Sequence, residues 1–212
     1  MPRAGLSRTA VTAAALQLVD DGGAAGFANL TLAAVAAHAG VAVPSLYKHV
    51  ASLGELRRDV AVASVTQLTT ALTAATIGRS GAEAVRALAA ALRAFAREQP
   101  GRYVATQVAA DPDDPAAEPL AHAGEQSIAV IAGALRAFEL APELLIDAIR
   151  VLRSALHGFV LLELGGGFRL PHDIDRSFAV LLEMTIAGIE RLASSAPPAR
   201  VSRAGASGAA SV

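Results

Sequence analysis

Twice in this chain a serine stands three residues ahead of a glutamate, at the front of a long stretch with helical periodicity. The two stretches are Ser52-Leu53-Gly54-Glu55 and Ser80-Gly81-Ala82-Glu83. At that spacing the two side chains satisfy each other's end-of-helix N–H groups, so each pair predicts a helix start. Behind Ser80, the residues Val85, Leu88, Leu92 and Phe95 recur on one face, and Arg86, Arg93 and Arg97 are expected to point outward. Hydrophobic residues make up 53% of the chain and aromatic residues only 4%. Much of the apolar content is alanine, the strongest helix former. No run of alternating β-branched residues competes, so the predicted fold class is all-α.

The remaining punctuation divides the chain. Ser7 is the expected cap of a first helix carrying Val11, Ala14, Ala15 and Leu18 on one face, and Gly22-Gly23 stops it. Thr31 caps a short helix from Leu32 to His38. Ala39-Gly40-Val41 makes a tight turn, and Pro44 suits the first turn of a third short helix. The helix opened by Ser52 is expected to run to about Ala75, and the one opened by Ser80 ends at Pro100-Gly101. A short helix near Arg102 to Ala110 precedes the loop DPDDPAAEP. Helices follow from about Glu118 to Glu139, Pro142 to Leu164 and Asp173 to Ala193, with Gly165-Gly166-Gly167 between the last two. The expected domains are 1–52, 53–195 and a disordered tail at 196–212, where apolar periodicity is lost.

Two short helices joined by a turn containing glycine form a helix-turn-helix candidate. In that arrangement the second helix enters the major groove and the first crosses the phosphate backbone. Tyr47 can donate to phosphate, Lys48 supplies a point charge, and His49 can do either. A glycine turn between short helices is equally common in helical bundles, where an aromatic residue is usually core. Spacing alone leaves that choice open.

The segment LTLAAVAAHAGVAVPSLYKHVASLGEL, Leu30 to Leu56, closely resembles the DNA-binding domain of the tetracycline-repressor (TetR) family of bacterial transcription regulators. The residues that carry the likeness are Thr31, Ala39-Gly40-Val41 and Leu46-Tyr47-Lys48-His49-Val50. Farther on, RSALHGFVLLELGGGF resembles a regulatory-domain type of the same family marked by a His-Gly pair, here His157-Gly158. The resemblance implies a three-helix DNA-binding head followed by a six-helix ligand-binding and dimerisation domain. Its implied DNA contacts are Thr31, Val43, Pro44, Ser45, Tyr47, Lys48 and His49. The chain departs from the pattern at Ala42, where the family often has a capping serine, and at Leu53, where a lysine is common. With few charges on this face, modest affinity and largely apolar or shape-based readout are expected.

By the same resemblance the last two helices pair with their copies in a homodimer, through faces carrying Leu152, Leu156, Phe159 and Val160, and Phe178, Leu181, Leu182 and Ile189. A palindromic double-stranded operator and a small-molecule effector follow. Candidate effector contacts are Arg102, Tyr103, Gln107, Gln126, Arg153 and His157. Arg153 and His157 are four apart and share a helix face; Arg153 may instead pair with a carboxylate such as Glu183.

Other classes find less in the sequence. There is no cysteine, hence no disulfide, thiolate metal site or thiol nucleophile. Neither a P-loop nor the common hydrolase and metalloprotease motifs occur, so no catalytic residue, metal or cofactor is expected. His172 to Asp175 carries metal-capable atoms, but Asp173 more naturally caps the last helix. Val60 to Gly78 is uncharged, yet its serine, glutamine and threonines argue against a membrane span. The N-terminus lacks a signal peptide's apolar core, and a cytoplasmic location is expected. The alternatives to a ligand-released repressor are an all-helical enzyme and a ligand-independent interaction protein.

Overall fold

The computed structural model describes residues 6–195; the expected tail lies outside them. Among the described residues the elements are α1 (Arg8–Asp21), α2 (Leu32–Ala39), α3 (Val43–Leu46), α4 (Leu53–Thr76), α5 (Gly81–Glu98), α6 (Pro100–Ala105), α7 (Glu118–Leu135), α8 (Pro142–Leu164) and α9 (Ile174–Ser195), with no strand. Short 3-10 turns lie at Gly23–Ala25, Pro115–Ala117 and Arg136–Phe138. None of these helices is long and apolar enough to cross a membrane.

Most expected starts are made as the sequence suggests. The Ser7 hydroxyl accepts from the Ala10 N–H at 3.1 Å, and Thr31 from Ala34 at 3.2 Å. At α4, Ser52 accepts from Glu55 at 3.1 Å, but Glu55 Oε2 reaches back to the Ala51 N–H rather than to that of Ser52. The second capping box does not form. Ser80 makes no side-chain cap, because Gly81 begins α5 at φ +55° and alters the first turn, and Glu83 pairs with Arg79 at 3.2 Å. At the other end of the chain Asp173 accepts from the Asp175 N–H at 2.9 Å and caps α9 as expected.

Two apolar clusters do most of the packing. The head cluster joins Val11, Ala15 and Val19 of α1, Val35 of α2, Leu46 and Val50, and it extends into Leu56 and Val60 of α4 and Ala105 of α6. The larger cluster is built from α4, α5, α6, α7, α8 and α9 around Leu88, Tyr103, Leu135, Leu152 and Leu156. Here two expectations are corrected. Leu152, Leu156, Val160, Phe178, Leu182 and Ile189 are buried within the single chain, with Phe159 and Leu181 packed against them, so they are not the free faces of α8 and α9. Arg93, expected outward, is 8% exposed. Helix α5 is enclosed by α4, α6, α7, α8 and α9, which leaves it little solvent face at that turn.

The seam between head and core is tight at α6. A Cβ on Gly101 would stand 2.4 Å from the Val19 carbonyl oxygen and 2.6 Å from that of Gly23. Only glycine lets α6 approach the head backbone this closely. Next to it, Arg102 binds both oxygens of Asp20 on α1, at 2.8 and 2.6 Å, and Gln67 on α4 at 2.6 Å.

Candidate DNA-binding face and ligand cavity

The turn between α2 and α3 is fixed by Gly40 at φ +67°, where the Gly40 and Val41 N–H groups donate to the Ala37 and Ala36 carbonyls. This is a left-handed helix end that an L side chain adopts poorly. Helix α3 is a single turn. Tyr47, Lys48 and His49 follow it in a hydrogen-bonded turn, with the His49 and Val50 N–H groups donating to Leu46. Leu46 and Val50 are buried and pin this turn to the head core. The residues between them face outward: Tyr47 is 56% exposed, so it is not a core aromatic of the kind a plain helical bundle would place there. Thr31, Pro44 and Lys48 are exposed, while Val43, Ser45 and His49 are half-buried. Other cations near the head are engaged. Arg8 pairs with Glu55 and Asp59, Arg57 donates to the Ala28 and Leu30 carbonyls, and Arg58 pairs with Asp114. Lys48 makes no such bond among the described residues and is free to meet a phosphate.

In the core, a cavity of about 390 Å³ opens between α4, α6, α7 and α8. Its apolar wall includes Leu68 and Leu72 of α4, Leu92 of α5, and Ile128 and Ile131 of α7. Four of the six candidate effector contacts, Tyr103, Gln107, Arg153 and His157, line it together. The other two lie elsewhere: Arg102 is engaged at the head seam, and Gln126 binds His122 at 2.9 Å on exposed α7. Glu183 is held by both nitrogens of Arg86, at 2.8 and 2.9 Å, so it does not serve Arg153.

The polar part of the lining is organised around Tyr103. Its hydroxyl lies 3.0 Å from His157 Nδ1. Burial pushes the Tyr103 hydroxyl up to about 12 and drives His157 below its usual value, with the charge of Arg153 adding to the effect. Phenol and imidazole are therefore both neutral near pH 7. In the tautomer protonated at Nε2, the tyrosine O–H donates to Nδ1. Gln107 donates to Thr106 Oγ1 at 2.7 Å.

Sequence reasoning missed one cluster. Arg93 donates to both oxygens of Glu163, at 2.6 and 2.7 Å, and pairs with Asp175 at 2.7 Å. Its guanidinium lies 4.7 Å from the Phe178 ring centre and 5.7 Å from that of Phe159. An arginine among inward-facing Leu92 and Phe95 was the available signal.

The matches to known proteins agree with this layout. A family profile described as "Tetracyclin repressor-like, C-terminal domain" matches residues 85–185. An uncharacterized HTH-type transcriptional regulator of Mycobacterium tuberculosis is 37% identical over 190 residues, 88% of this chain and 83% of its own length. Another from Bacillus subtilis is 31% identical over 189 residues, covering 89% and 95%. Among solved structures, a TetR variant of Acinetobacter baumannii in complex with minocycline aligns with a TM-score of 0.66 at 24% identity. That alignment covers 90% of this chain and 100% of the other, and it is a likeness of fold.

Proposed function

Since the chain belongs to the tetracycline-repressor (TetR) family of transcriptional regulators, we propose that it works as a dimeric repressor released from a palindromic operator by a small molecule. The observation that carries this reading is α6. Three consecutive residues there join two parts of the molecule: Gly101 and Arg102 meet the head, at the Val19 and Gly23 backbone and at the Asp20 carboxylate, and Tyr103 meets the cavity residue His157. A ligand that repositions Tyr103 or His157 acts on the helix that grips the head. A ligand shifts the DNA-binding equilibrium only by its preference for one head geometry over another, and this seam supplies the mechanical link. The α4 helix, shared by both apolar clusters, is the second link.

The dimer reading rests on what the single chain leaves uncovered. Val151, Leu161 and Leu162 on α8 and Val180 and Met184 on α9 are all exposed. A two-fold pairing of these helices buries them and sets two α3 turns about 34–36 Å apart, or farther by whole helical turns. On DNA, Thr31, Tyr47, Lys48 and His49 serve phosphates, and Val43, Pro44 and Ser45 face base edges. The structural relative was solved in complex with minocycline, which supports the reading of a small-molecule effector. The test is a mobility-shift and footprinting experiment on the DNA upstream of the protein's own gene, with molar mass measured by light scattering. A palindromic footprint on a dimer is expected. A monomer, or retardation independent of sequence, overturns the reading.

A further inference from the structure

Most of the cavity wall is apolar; Thr106, Gln107, Glu125 and Ser127 add polar groups to it, and Tyr103, Arg153 and His157 form a separate cluster. The Tyr103 hydroxyl occupies His157 Nδ1 at 3.0 Å, and Nε2 has no partner among the described residues, so an imidazole protonated at Nε2 offers that N–H to the cavity. Arg153 lies one turn before His157 on α8, lines the same cavity, and makes no hydrogen bond or ion pair among the described residues. Two donor groups that no protein atom occupies thus share one helix face, the exposed Arg153 with its full positive charge and the half-buried His157, and both can serve a ligand atom that accepts. A guanidinium fork is satisfied best by a planar carboxylate, which takes two parallel hydrogen bonds.

We propose that the effector is a monoanionic amphiphile, a single carboxylate on a hydrocarbon body. The carboxylate binds Arg153 and His157, and the body lies against Leu68, Leu72, Leu92, Ile128 and Ile131. This deepens the reading of the cavity as the effector site and rests on it. The apolar wall favours a hydrocarbon body because burying that surface is where most of the binding free energy arises. Tyr103 orients the imidazole so that Nε2–H is the donor, which makes it a positioning residue. Glu125, exposed on α7, is the other charge on the lining and has no ion-pair partner among the described residues. It disfavours a second negative charge on the ligand. It is also the only feature that would favour a cation, and it stands on α7 without the company that Arg153 has on α8.

The experiment is isothermal titration of the full chain with n-decanoate, n-decanol and decyltrimethylammonium, each below its aggregation concentration. Decanoate is expected to bind at least about tenfold tighter than decanol, because a hydrogen bond to a charged group contributes more than a neutral one. In Arg153→Ala, decanoate should weaken by about 10–100-fold while decanol affinity stays within about twofold, and Arg153→Lys should recover part of the loss. Arg153 is exposed and outside the apolar clusters, so folding is not at issue; Tyr103→Phe should weaken decanoate less than Arg153→Ala does. Equal binding of decanoate and decanol, or tighter binding of the ammonium compound, overturns the carboxylate assignment and leaves the cavity reading standing. No saturable binding by any of the three overturns both.

Discussion

Arg8 and Arg93 are each gripped by two carboxylates, one pair of contacts in the head and one in the core. Arg8 reaches Glu55 and Asp59 at 2.6 Å each, but its side chain is 52% exposed. Arg93 reaches Glu163 at 2.6 Å and Asp175 at 2.7 Å, is 10% exposed by side chain, and faces two phenyl rings. Hydrogen bonding to a carboxylate is the leading cause that raises both arginines above their ordinary value, Asp59 for one and Glu163 for the other. The contacts match and the surroundings do not. Water screens the head pair, so its attraction is offset by side-chain entropy and competing hydration. In the core, desolvation is already spent on folding, and loss of one partner leaves the other stranded. The head thus rests on small apolar contacts and caps, whereas the core depends on a charge it cannot expose.

That contrast can be broken by measurement. Arg93→Ala should lower unfolding free energy by about 3–5 kcal/mol, since Glu163 stays buried without its cation; Arg93→Met should cost far less. Urea unfolding with both variants checks this, and a near-zero effect of Arg93→Ala would erase the distinction from Arg8. Gly101→Ala comes next, because its methyl meets backbone oxygens that cannot rotate away. A loss of about 2–3 kcal/mol is expected from the forced separation of α6 from the head, read as a lower denaturation midpoint. Lys48→Ala should leave folding unchanged and reduce the salt dependence of DNA binding by about 0.9 in log–log slope, one phosphate's worth. An unaltered slope would remove this turn from the DNA face.

The smallest effect belongs to Arg8→Ala, within about 1 kcal/mol, and its pH dependence sharpens the comparison. Glu55 is held below its usual value first by the Ala51 N–H and then by Arg8. Its folded value is the lower one, so the unfolded chain binds more protons in the acid range. The contribution is therefore fully present above about 4.5, the ordinary glutamate value, and is lost as pH falls through the folded one. Urea midpoints followed downward from neutral pH should show that loss in the natural protein and less of it in Arg8→Ala.

The two halves also differed in how much the sequence disclosed. Thr31, Gly40 and Ser52 act on groups within a few residues of themselves, so caps and turns near the head could be read locally. The exposed Tyr47 became interpretable because unusual residue types fall at fixed offsets around it. In the core the partners are distant in the chain. Arg102 finds Asp20 from 82 residues away, and Arg93 finds Glu163 from 70. Helical period identifies one apolar face, but it cannot report that a helix is enclosed by five others, which is why Arg93 was expected in solvent. The failed cap at Ser80 is a local exception: its motif was complete, and the left-handed Gly81 inside it changed the geometry. Four of the cavity residues were legible because a polar side chain on an apolar helix must have some use. Arg102 and Gln126 met the same criterion and found other uses.

The chain holds two tyrosines and no tryptophan. One stands exposed beside the reading turn and the other is buried at the cavity. The molecule therefore carries one tyrosine at each of its two candidate sites, with no tryptophan to mask either. With Tyr103→Phe, all tyrosine emission comes from the DNA face; with Tyr47→Phe, all of it comes from the cavity. Following the emission of each variant after rapid mixing with a ligand compares when the cavity and the candidate DNA face respond, in an unlabelled protein.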